Sequence, residues 1–309
     1  MLRTCLVNYH LGNLPRFFPL FRDSAAQNAN VDFLVFTDGT IPETLPPNVH
    51  MHKLNVDEFN QRVSCKLNMD FSLTSPYKLC DLKPAYGVLF EEYLENYDFW
   101  GMCDLDVIWG RIDHFLSQEC LKRYDVITAK ETHTTGYFCV FRNKGISRDL
   151  FRYTDDYRTV FCDTSCPYCG FDETCHRWSQ PPVALSELNK TGQACSIYDI
   201  VMSLASKGFL QVHFPNWVRE FPHSFNIDCL DGMLTDRSKG EEFMCLHLVH
   251  KKTDPNFYIP QLSKLPKSFH VSDRGLRPDG VSRIAWEAAR LRQVYKYKKR
   301  HFIRKLRGC

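Results

Sequence analysis

Short apolar runs alternate with segments of helical length through the N-terminal half of the chain, and this alternation restricts the fold more than any other feature. The runs at 4–9 and 31–37 are rich in β-branched and aromatic residues, and the turn-forming pairs Gly12-Asn13 and Asp38-Gly39 follow them. Strands that are buried on both faces have this composition. Strands that alternate with helices indicate βαβ units, so the sequence predicts an α/β fold with a mostly parallel sheet flanked by helices.

The other elements of the predicted fold follow from the same patterns. Further strands are predicted at 49–54, 97–110 and 124–129, and helices at 14–29, starting at Pro15, and at 77–96. Pro84 lies inside the second of these helices. Because proline lacks the amide hydrogen and clashes with the preceding turn, it predicts a break or a helix start there.

The pattern of core-forming residues stops after about residue 270. The segment VSDRGLRPDG at 271–280 is loop-like, and a basic helix follows it. We therefore predict one domain over 1–269, with a cysteine-rich insertion at about 160–178. A basic C-terminal loop and helix over 270–309 completes the prediction.

The composition excludes several classes of protein. With 44% hydrophobic and 24% charged residues the chain can bury a sizeable core, which excludes a disordered or fibrous protein. No apolar run approaches the roughly 18 residues of a membrane-spanning helix. The first fifteen residues lack the long apolar stretch and small-residue cleavage site of a signal peptide, so we expect a cytoplasmic protein.

The charge of the chain is unevenly distributed. Residues 283–309 contain ten Lys and Arg and one Glu, a balance of +9, whereas the preceding residues contain 29 bases against 35 acids. A nucleic-acid-binding domain carries its positive charge on the folded surface, so no nucleic-acid partner is expected. Apolar residues are spaced among the bases of the tail: Ile284, Ala288, Leu291, Tyr295 and Phe302. This pattern predicts peripheral membrane contact, and a solvated helix packed on the domain is the alternative.

The fourteen cysteines are spread over the chain, and most lie in apolar segments. In a reducing compartment such residues are buried free thiols. The exception is a dense group, followed by His176, that consists of Cys162, Cys166, Cys169 and Cys175. Its spacing could hold a structural Zn²⁺ ion or two oxidised pairs. Only Cys166 and Cys169 have the tight spacing of a zinc site, so free thiols in a loop are the alternative.

Asp104 and Asp106 lie two residues apart in the apolar run at 101–110. At strand spacing both carboxylates point to the same side. Two ionised groups in apolar surroundings are costly unless a cation compensates them, and all-oxygen ligands suit Mg²⁺ or Mn²⁺. The carboxyl ends of strands are also where open α/β sheets bind ligands. The pair therefore predicts a metal site, and two surface acids at a strand end are the alternative.

Several weaker motifs accompany this pair in a fixed order: a first strand followed by Gly and Pro, a strand ending in Thr-Asp, Lys-x-x-Asp-x-Lys-Pro, Trp-Gly-x-x-Asp-x-Asp, and a late-strand His. Their residues are Gly12, Pro15, Thr37, Asp38, Lys78, Asp81, Lys83, Pro84, Trp100, Gly101, Asp104, Asp106 and His247. In these motifs the sequence resembles the GT-A class of nucleotide-sugar glycosyltransferases over roughly residues 4–252. It looks most like an uncharacterised GT-A-like family associated with polysaccharide biosynthesis.

The resemblance implies roles for these residues in binding a nucleotide sugar, UDP-linked by expectation. The ends of the first two strands would hold the nucleobase and ribose, through Asn8, Tyr9, Thr37 and Asp38. Asn and Asp can bind the edge of a uracil and Tyr can stack on it, whereas a structural turn is the alternative for Asp38. Lys78 and Lys83 would meet the diphosphate, with Asp81 near the ribose, unless all three form a solvated helix face.

The resemblance also implies the remaining ligands and catalytic groups. His247 would be the third metal ligand after Asp104 and Asp106, with His250 as its competitor. Lys251 and Lys252 would neutralise the leaving diphosphate. The late His-x-x-x-Lys feature resembles retaining families. Asp172 and Glu173 would lie on the acceptor side, where one carboxylate could orient or deprotonate an acceptor hydroxyl. An acid pair at a helix N-terminus is the alternative for them.

The sequence thus predicts a metal-dependent GT-A glycosyltransferase with a Rossmann-like sheet. It would transfer a sugar from a nucleotide sugar to a glycan or lipid-linked glycan. A sugar-phosphate nucleotidyltransferase is one alternative, although residues 8–16 lack the Gly-rich loop that binds a triphosphate. A non-catalytic zinc- or membrane-binding module is the other.

Overall fold

The computed structural model of the protein describes residues 1–177, 194–220, 226–251 and 253–306. The chain divides into two compact units. Unit 1 consists of Met1–Pro15, Asn28–Leu105 and Ile112–Trp217, and unit 2 consists of Arg16–Gln27, Asp106–Arg111 and Val218–Cys309.

The strands of the described residues are β1 (Thr4–His10), β2 (Val31–Thr37), β3 (Val49–Lys53), β4 (Phe99–Cys103), β5 (Val107–Trp109), β6 (Val126–Thr128), β7 (Phe138–Arg142), β8 (Val212–His213), β9 (Val218–Glu220), β10 (Asn226–Leu230), β11 (Met233–Asp236), β12 (Glu241–Phe243), β13 (Cys245–His247), β14 (Ser268–Ser272) and β15 (Gly275–Pro278). The helices are α1 (Phe18–Ala25), α2 (Val56–Leu67), α3 (Lys78–Leu82), α4 (Tyr86–Leu89), α5 (Glu91–Leu94), α6 (Ile112–Phe115), α7 (Gln118–Arg123), α8 (Asp156–Cys162), α9 (Ile197–Ser206) and α10 (Arg283–Leu306). Short 3₁₀ helices span Lys83–Ala85, Gly145–Arg148, Leu150–Tyr153 and Val249–Lys251.

Unit 1 is built on a seven-stranded sheet in the order β3-β2-β1-β4-β7-β6-β8. Strand β1 lies near the centre and pairs in parallel with both β2 and β4, and β2 pairs in parallel with β3. Only β7 runs against its neighbours β4 and β6. The predicted α/β class with a mostly parallel sheet flanked by helices is therefore confirmed, and β1, β2 and β3 form where the sequence predicts them.

Aromatic side chains fill the core between this sheet and its helices. The rings of Phe36 and Phe90 stack with their centroids 4.0 Å apart, and the indole of Trp100 stacks on Phe141 at 4.8 Å. Asn55 caps the N-terminus of helix α2. Its side chain accepts a hydrogen bond from the Glu58 amide, and the Glu58 carboxylate accepts one from the Asn55 amide. This capping box satisfies two amides that a helix start leaves without partners.

The predicted helix at 77–96 is broken into shorter pieces. Helix α3 ends at Leu82, the 3₁₀ turn Lys83–Ala85 contains Pro84, and α4 and α5 follow. Since proline removes an amide donor, the predicted break lies at Pro84. As a result Lys83 lies outside the regular helix, in the 3₁₀ turn.

The predicted strand at 97–110 is also two strands, β4 and β5, separated by Asp104, Leu105 and Asp106. Residues 105 and 106 form a turn, so the two carboxylates do not stand on one face of a strand as the sequence predicted. The turn was not predicted because the segment is apolar almost throughout. Leu105 lies in the turn and is itself buried.

Unit 2 contains two smaller sheets, a five-stranded one in the order β12-β11-β10-β14-β15 and a three-stranded one in the order β5-β13-β9. The prediction of a loop at 271–280 is wrong, because β14 and β15 form an antiparallel hairpin there. Val271 and Leu276 are fully buried in this hairpin. The two strands are short and most of their neighbours are polar, so the alternation of buried and exposed residues is not recognisable in the sequence.

Helix α10 corresponds to the predicted basic tail helix. Within unit 2 it packs on the β14–β15 hairpin through Trp286, which is buried and whose indole N–H donates to the Leu276 carbonyl at 2.7 Å. Other apolar side chains of the helix are exposed, namely Ile284, Leu291, Tyr295 and Tyr297. Among the described residues no helix combines the length and the apolar character needed to cross a membrane.

Candidate active site

A buried lysine–aspartate pair lies at the carboxyl end of β4 in unit 1. The Lys83 ammonium donates to Asp104 Oδ1 at 2.6 Å and to the Gly136 carbonyl at 2.9 Å. The Lys83 side chain is 4% exposed and that of Asp104 25% exposed. Burial lowers the pKa of Lys83, but the Asp104 charge and other acidic neighbours outweigh it and hold that pKa well above its usual range. Lys83 therefore supplies a permanent positive charge.

Asp172 reaches the same place from the loop that follows α8. Its Oδ1 accepts a hydrogen bond from the Tyr168 hydroxyl at 3.0 Å, and the Thr134 hydroxyl donates to its backbone carbonyl at 3.2 Å. A side chain at Gly136 would clash here, because a Cβ would lie 2.1 Å from Asp172 Oδ2 and 3.1 Å from Lys83 Nζ. Gly136 therefore lets the lysine and the acid approach the backbone closely.

The Asp172 carboxyl is nearly inaccessible to solvent. Burial raises the pKa of Asp172 well above its usual range and the Glu173 charge raises it further, while Lys83 and the Tyr168 hydroxyl act in the opposite direction. A carboxyl in this state is protonated at pH values at which an exposed aspartate is ionised. It can donate a hydrogen bond or a proton, which an ordinary aspartate cannot do.

The raised pKa of Asp172 predicts a pH-dependent loss of stability. The unfolded chain ionises this carboxyl near pH 4, whereas the folded chain holds its proton, so the folded state loses stability as pH rises from about 4 toward the folded pKa. Asp172→Asn keeps an acceptor for Tyr168 and removes this dependence. We expect the melting temperature of the variant to rise relative to wild type as pH is raised from 4 to 8. A difference that shrinks over this range would contradict the assignment.

Gly136→Ala tests the packing around the acid. The added methyl group would force Asp172 or Lys83 to move, and overpacking of this kind costs about 1–3 kcal/mol. We expect urea unfolding to show this loss in Gly136→Ala. Gly145 is the matched control for added volume, because a Cβ there meets nothing within 4 Å. Its positive φ of 59° still makes Gly145→Ala cost about 1 kcal/mol from backbone strain, so only a larger loss in Gly136→Ala supports the clash.

A histidine held between two acids lies in unit 2. In the three-stranded sheet, His247 pairs in register with Glu220 on one side and with Val107, the residue after Asp106, on the other. Its Nδ1 lies 3.2 Å from Glu220 Oε2, and its Nε2 lies 3.7 Å from Asp106 Oδ1. Glu220 therefore orients the ring so that Nε2 faces the Asp106 carboxylate.

This arrangement suits a cation. The 3.7 Å between His247 Nε2 and Asp106 Oδ1 is too long for a hydrogen bond, but an ion could bind both atoms at about 2.1 Å each. A carboxylate on the second ring nitrogen is the usual support of a metal-binding histidine. Asp104 precedes Asp106 by two residues, so their Cα atoms cannot be more than about 7 Å apart.

Two residues of the site, Glu220 and Tyr168, were not predicted from the sequence. Glu220 belongs to no recognisable motif and is identified only by its register opposite His247. Tyr168 lies inside the cysteine-rich segment, and nothing in the sequence indicates that its hydroxyl donates a hydrogen bond to Asp172.

Lys78 and Asp81 form a buried ion pair that does not reach solvent. Their side chains are 1% and 0% exposed, and Lys78 Nζ lies 3.2 Å from Asp81 Oδ2. Asp81 also accepts hydrogen bonds from the amides of Cys169 and Phe171, both at 2.9 Å. In the structure the pair anchors the loop that leads to Asp172. The predicted roles of Lys78 at a diphosphate and Asp81 at a ribose stay predictions.

Tyr9 and Asn8 belong to the interior of unit 1. The Tyr9 ring packs on Phe59 with centroids 4.5 Å apart, and its hydroxyl donates to the Leu54 carbonyl at 3.2 Å. Tyr9 is 4% exposed and belongs to this core, and its predicted stacking role stays a prediction. Asn8 donates to the Cys103 carbonyl at 2.7 Å, at the end of β4, and its buried Oδ1 has no hydrogen-bond partner among the described residues.

Thr37 and Asp38 hold the turn after β2. The buried Thr37 hydroxyl accepts from the Gly39 amide at 3.0 Å, which makes Thr37 a turn residue. Asp38 is exposed, and its Oδ1 accepts from the Gly12 amide at 2.6 Å, which ties the ends of β1 and β2 together. The structural turn proposed as the alternative for Asp38 is therefore present, on a surface that remains accessible.

Lys251 is buried in unit 2, with its ammonium 3.7 Å from Asp254 and over the Phe257 ring. Its backbone carbonyl accepts from Arg16 at 2.7 Å. Glu173 is half-buried beside Asp172, and its carbonyl accepts from Thr134. The predicted roles of Lys251 and Glu173 at a substrate stay predictions. Lys252 lies outside the described residues.

The cysteine-rich segment assembles differently from the prediction. The sulfur atoms of Cys166 and Cys169 and a carboxylate oxygen of Asp163 lie within 4.8 Å of one another, and among the described residues Cys162 and Cys175 do not join this group. Cys162 is exposed and its thiol donates to the Asp70 carbonyl. The predicted four-cysteine cluster is therefore corrected to a group with one carboxylate and two thiols.

Two solved structures are similar to the chain at 10% sequence identity. The apo form of mouse xyloside xylosyltransferase 1 matches 72% of this chain and 88% of its own, with a TM-score of 0.38. The galactosyltransferase LgtC in complex with donor and acceptor sugar analogues matches 71% of this chain and 76% of its own, with a TM-score of 0.35. No curated protein matches the sequence.

A family model matches residues 6–273, which include all but the first two residues of the seven-stranded sheet, together with Lys83, Asp104, Asp172 and His247. Helix α10 lies outside this match. The chain belongs to the family described as a family of unknown function (DUF6625).

Proposed function

We propose that the protein is a metal-dependent glycosyltransferase that transfers a sugar from a nucleotide sugar, UDP-linked, to a glycan or lipid-linked glycan. The observation that carries the proposal is the contact of His247 with Asp106, in which Glu220 orients the imidazole. A histidine that faces a carboxylate in this way next to an Asp-x-Asp turn has the donor set of a divalent-cation site.

Asp104, Asp106 and His247 would hold the ion. Carboxylate oxygens and one imidazole suit Mn²⁺, and Mg²⁺ is the other candidate. When bound, the ion would neutralise charge on the diphosphate leaving group. Lys83 fixes one carboxylate oxygen of Asp104 at 2.6 Å and so limits the orientations that this ligand can adopt.

Asp172 would act on the sugar or acceptor. Its protonated carboxyl, which accepts a hydrogen bond from Tyr168, can donate a hydrogen bond to a substrate hydroxyl. The adjacent Lys83 charge would favour ionisation of the carboxyl when it transfers its proton. Glu173 would be the neighbouring carboxylate on the acceptor side. Retention of the anomeric configuration is part of the proposal and can be read from the product by NMR.

The accessible Asp38 carboxylate at the end of β2 is the candidate for contact with the nucleoside. It lies at the carboxyl ends of β1 and β2, next to the Gly12 turn, and open α/β sheets bind ligands at such ends. Tyr9, Lys78 and Asp81 are buried in the interior of unit 1, and no step is assigned to them.

A thermal-shift screen of nucleotide sugars with and without Mn²⁺ tests the proposal. A ligand at a hundred times its dissociation constant adds ~2.7 kcal/mol, which raises the melting temperature by a few degrees. We expect a shift for a UDP-sugar only when Mn²⁺ is present, and a reduced shift in His247→Ala. No shift with any nucleotide sugar would count against the proposal.

We propose that helix α10 contacts the anionic surface of a membrane from the cytoplasmic side. It carries the excess of basic residues, and its exposed Ile284 and Leu291 could enter the interface while Trp286 keeps the helix on unit 2. Replacing Ile284 and Leu291 by Ser should reduce sedimentation with anionic vesicles. Phe209→Ser, at an exposed apolar residue of unit 1, is the control and should bind as wild type does.

A further inference from the structure

The loop after α8 contains three potential metal ligands at regular spacing, Asp163-x-x-Cys166-x-x-Cys169. Their carboxylate oxygen and sulfur atoms lie within 4.8 Å of one another. Two thiols and a carboxylate form a donor set for Zn²⁺, because thiolate sulfur favours zinc over magnesium and manganese.

Contacts outside the group already orient two of these ligands. The Asp163 Oδ1 accepts from the amide and the hydroxyl of Ser165, at 2.8 and 2.6 Å. The Cys169 amide donates to Asp81 at 2.9 Å, and the Lys78 ammonium lies 3.5 Å from the Cys169 sulfur as a donor. Supporting hydrogen bonds of this kind accompany metal ligands generally, and those to Cys169 come from the buried Lys78–Asp81 ion pair.

We propose that Asp163, Cys166 and Cys169 bind one Zn²⁺ ion, with a water molecule as the fourth ligand. In a tetrahedral zinc site the ligand atoms lie about 3.5–3.8 Å apart, so atoms that are within 4.8 Å of one another need to approach by no more than about 1.3 Å. The two thiols release their protons to solvent as the ion binds, and the carboxylate stays ionised. The Lys78 ammonium offsets the negative charge that the two thiolates add.

The zinc ion would support the candidate acid. Cys166 and Cys169 enclose Pro167 and Tyr168, so an ion that holds both sulfur atoms also fixes the Tyr168 backbone. The Tyr168 hydroxyl donates to Asp172. Tyr168 is therefore a positioning residue, and metal binding in this loop stabilises the geometry of Asp172 without contact to substrate.

Metal content and cobalt spectra test the site in the full chain. Protein purified under reducing conditions should contain about one zinc ion per chain. Cys166→Ser and Asp163→Asn should reduce zinc retention during dialysis against a chelator by at least about tenfold. Cys175→Ser is the matched control from the same segment and should retain zinc as wild type does.

Replacement of zinc by Co²⁺ gives a readout that needs no activity. Two thiolate ligands should produce sulfur-to-cobalt charge-transfer absorption in wild type and about half of it in Cys166→Ser. Wild-type protein whose cobalt spectrum lacks this absorption would overturn the proposal, and so would loss of zinc from Cys175→Ser. A wild-type protein that contains no zinc and a Cys166–Cys169 disulfide would overturn it as well.

Discussion

Replacing Asp106 by Asn should reduce sugar transfer by at least about 100-fold and leave the fold intact. The change keeps the size of the side chain but removes one unit of negative charge opposite His247, and a bound cation contributes several kcal/mol to stabilising the leaving group. Asp104→Asn should reduce transfer similarly. It should also destabilise the fold by about 2 kcal/mol, because it leaves the buried Lys83 ammonium without its carboxylate.

Asp98→Asn is the control for both variants. Asp98 lies just before β4, the strand that ends next to Asp104, and it is exposed. It accepts a hydrogen bond from the Arg3 amide, which an asparagine oxygen can also accept. Its transfer rate should match wild type. A steady-state assay with a UDP-sugar and Mn²⁺ measures all three variants. Transfer by Asp106→Asn at the wild-type rate would contradict the metal assignment.

Removal of the Asp81 carboxylate should cause the largest loss of stability. Asp81→Ala leaves the Lys78 ammonium buried without its partner and two loop amides without an acceptor. Breaking a buried pair in this way costs about 3–5 kcal/mol, which lowers the melting temperature by about 10 °C in a protein of this size. Calorimetry or urea unfolding measures the effect.

An exposed ion pair provides the comparison for Asp81→Ala. Asp231 lies 3.4 Å from Lys267, and their side chains are 64% and 88% exposed. Solvent screens such a pair, so Asp231→Asn should leave the melting temperature unchanged. If Asp81→Ala melted within a degree or two of Asp231→Asn, the loop would not depend on the buried pair.

Local sequence patterns were sufficient to predict the α/β class and its first strands. Strands β1 and β2 carry continuous apolar runs and end at turn residues, so their limits follow from composition alone. The hairpin of β14 and β15 was missed because its buried residues Phe269, Val271 and Leu276 alternate with polar residues in two short strands. The two-unit division also depends on contacts between distant segments, which periodicity does not report.

The candidate site was predicted less completely than the fold. The Asp-x-Asp pair and His247 stand out because acids and a histidine in apolar strands are unusual. In the sequence Lys78 and Asp81 cannot be distinguished from charged surface residues. The structure shows that both are buried and form an ion pair with each other. Glu220 could not be predicted, since its role depends on the register of β9 against β13.

The most direct test is the rate of UDP-sugar turnover by metal-stripped protein as Mn²⁺ is added back. A metal held by Asp104, Asp106 and His247 predicts turnover at background in EDTA and a rise to a plateau with Mn²⁺. The Asp104→Asn/Asp106→Asn double variant should stay at background throughout. Turnover by wild type that is equally fast in EDTA and in Mn²⁺ would contradict a metal-dependent transferase.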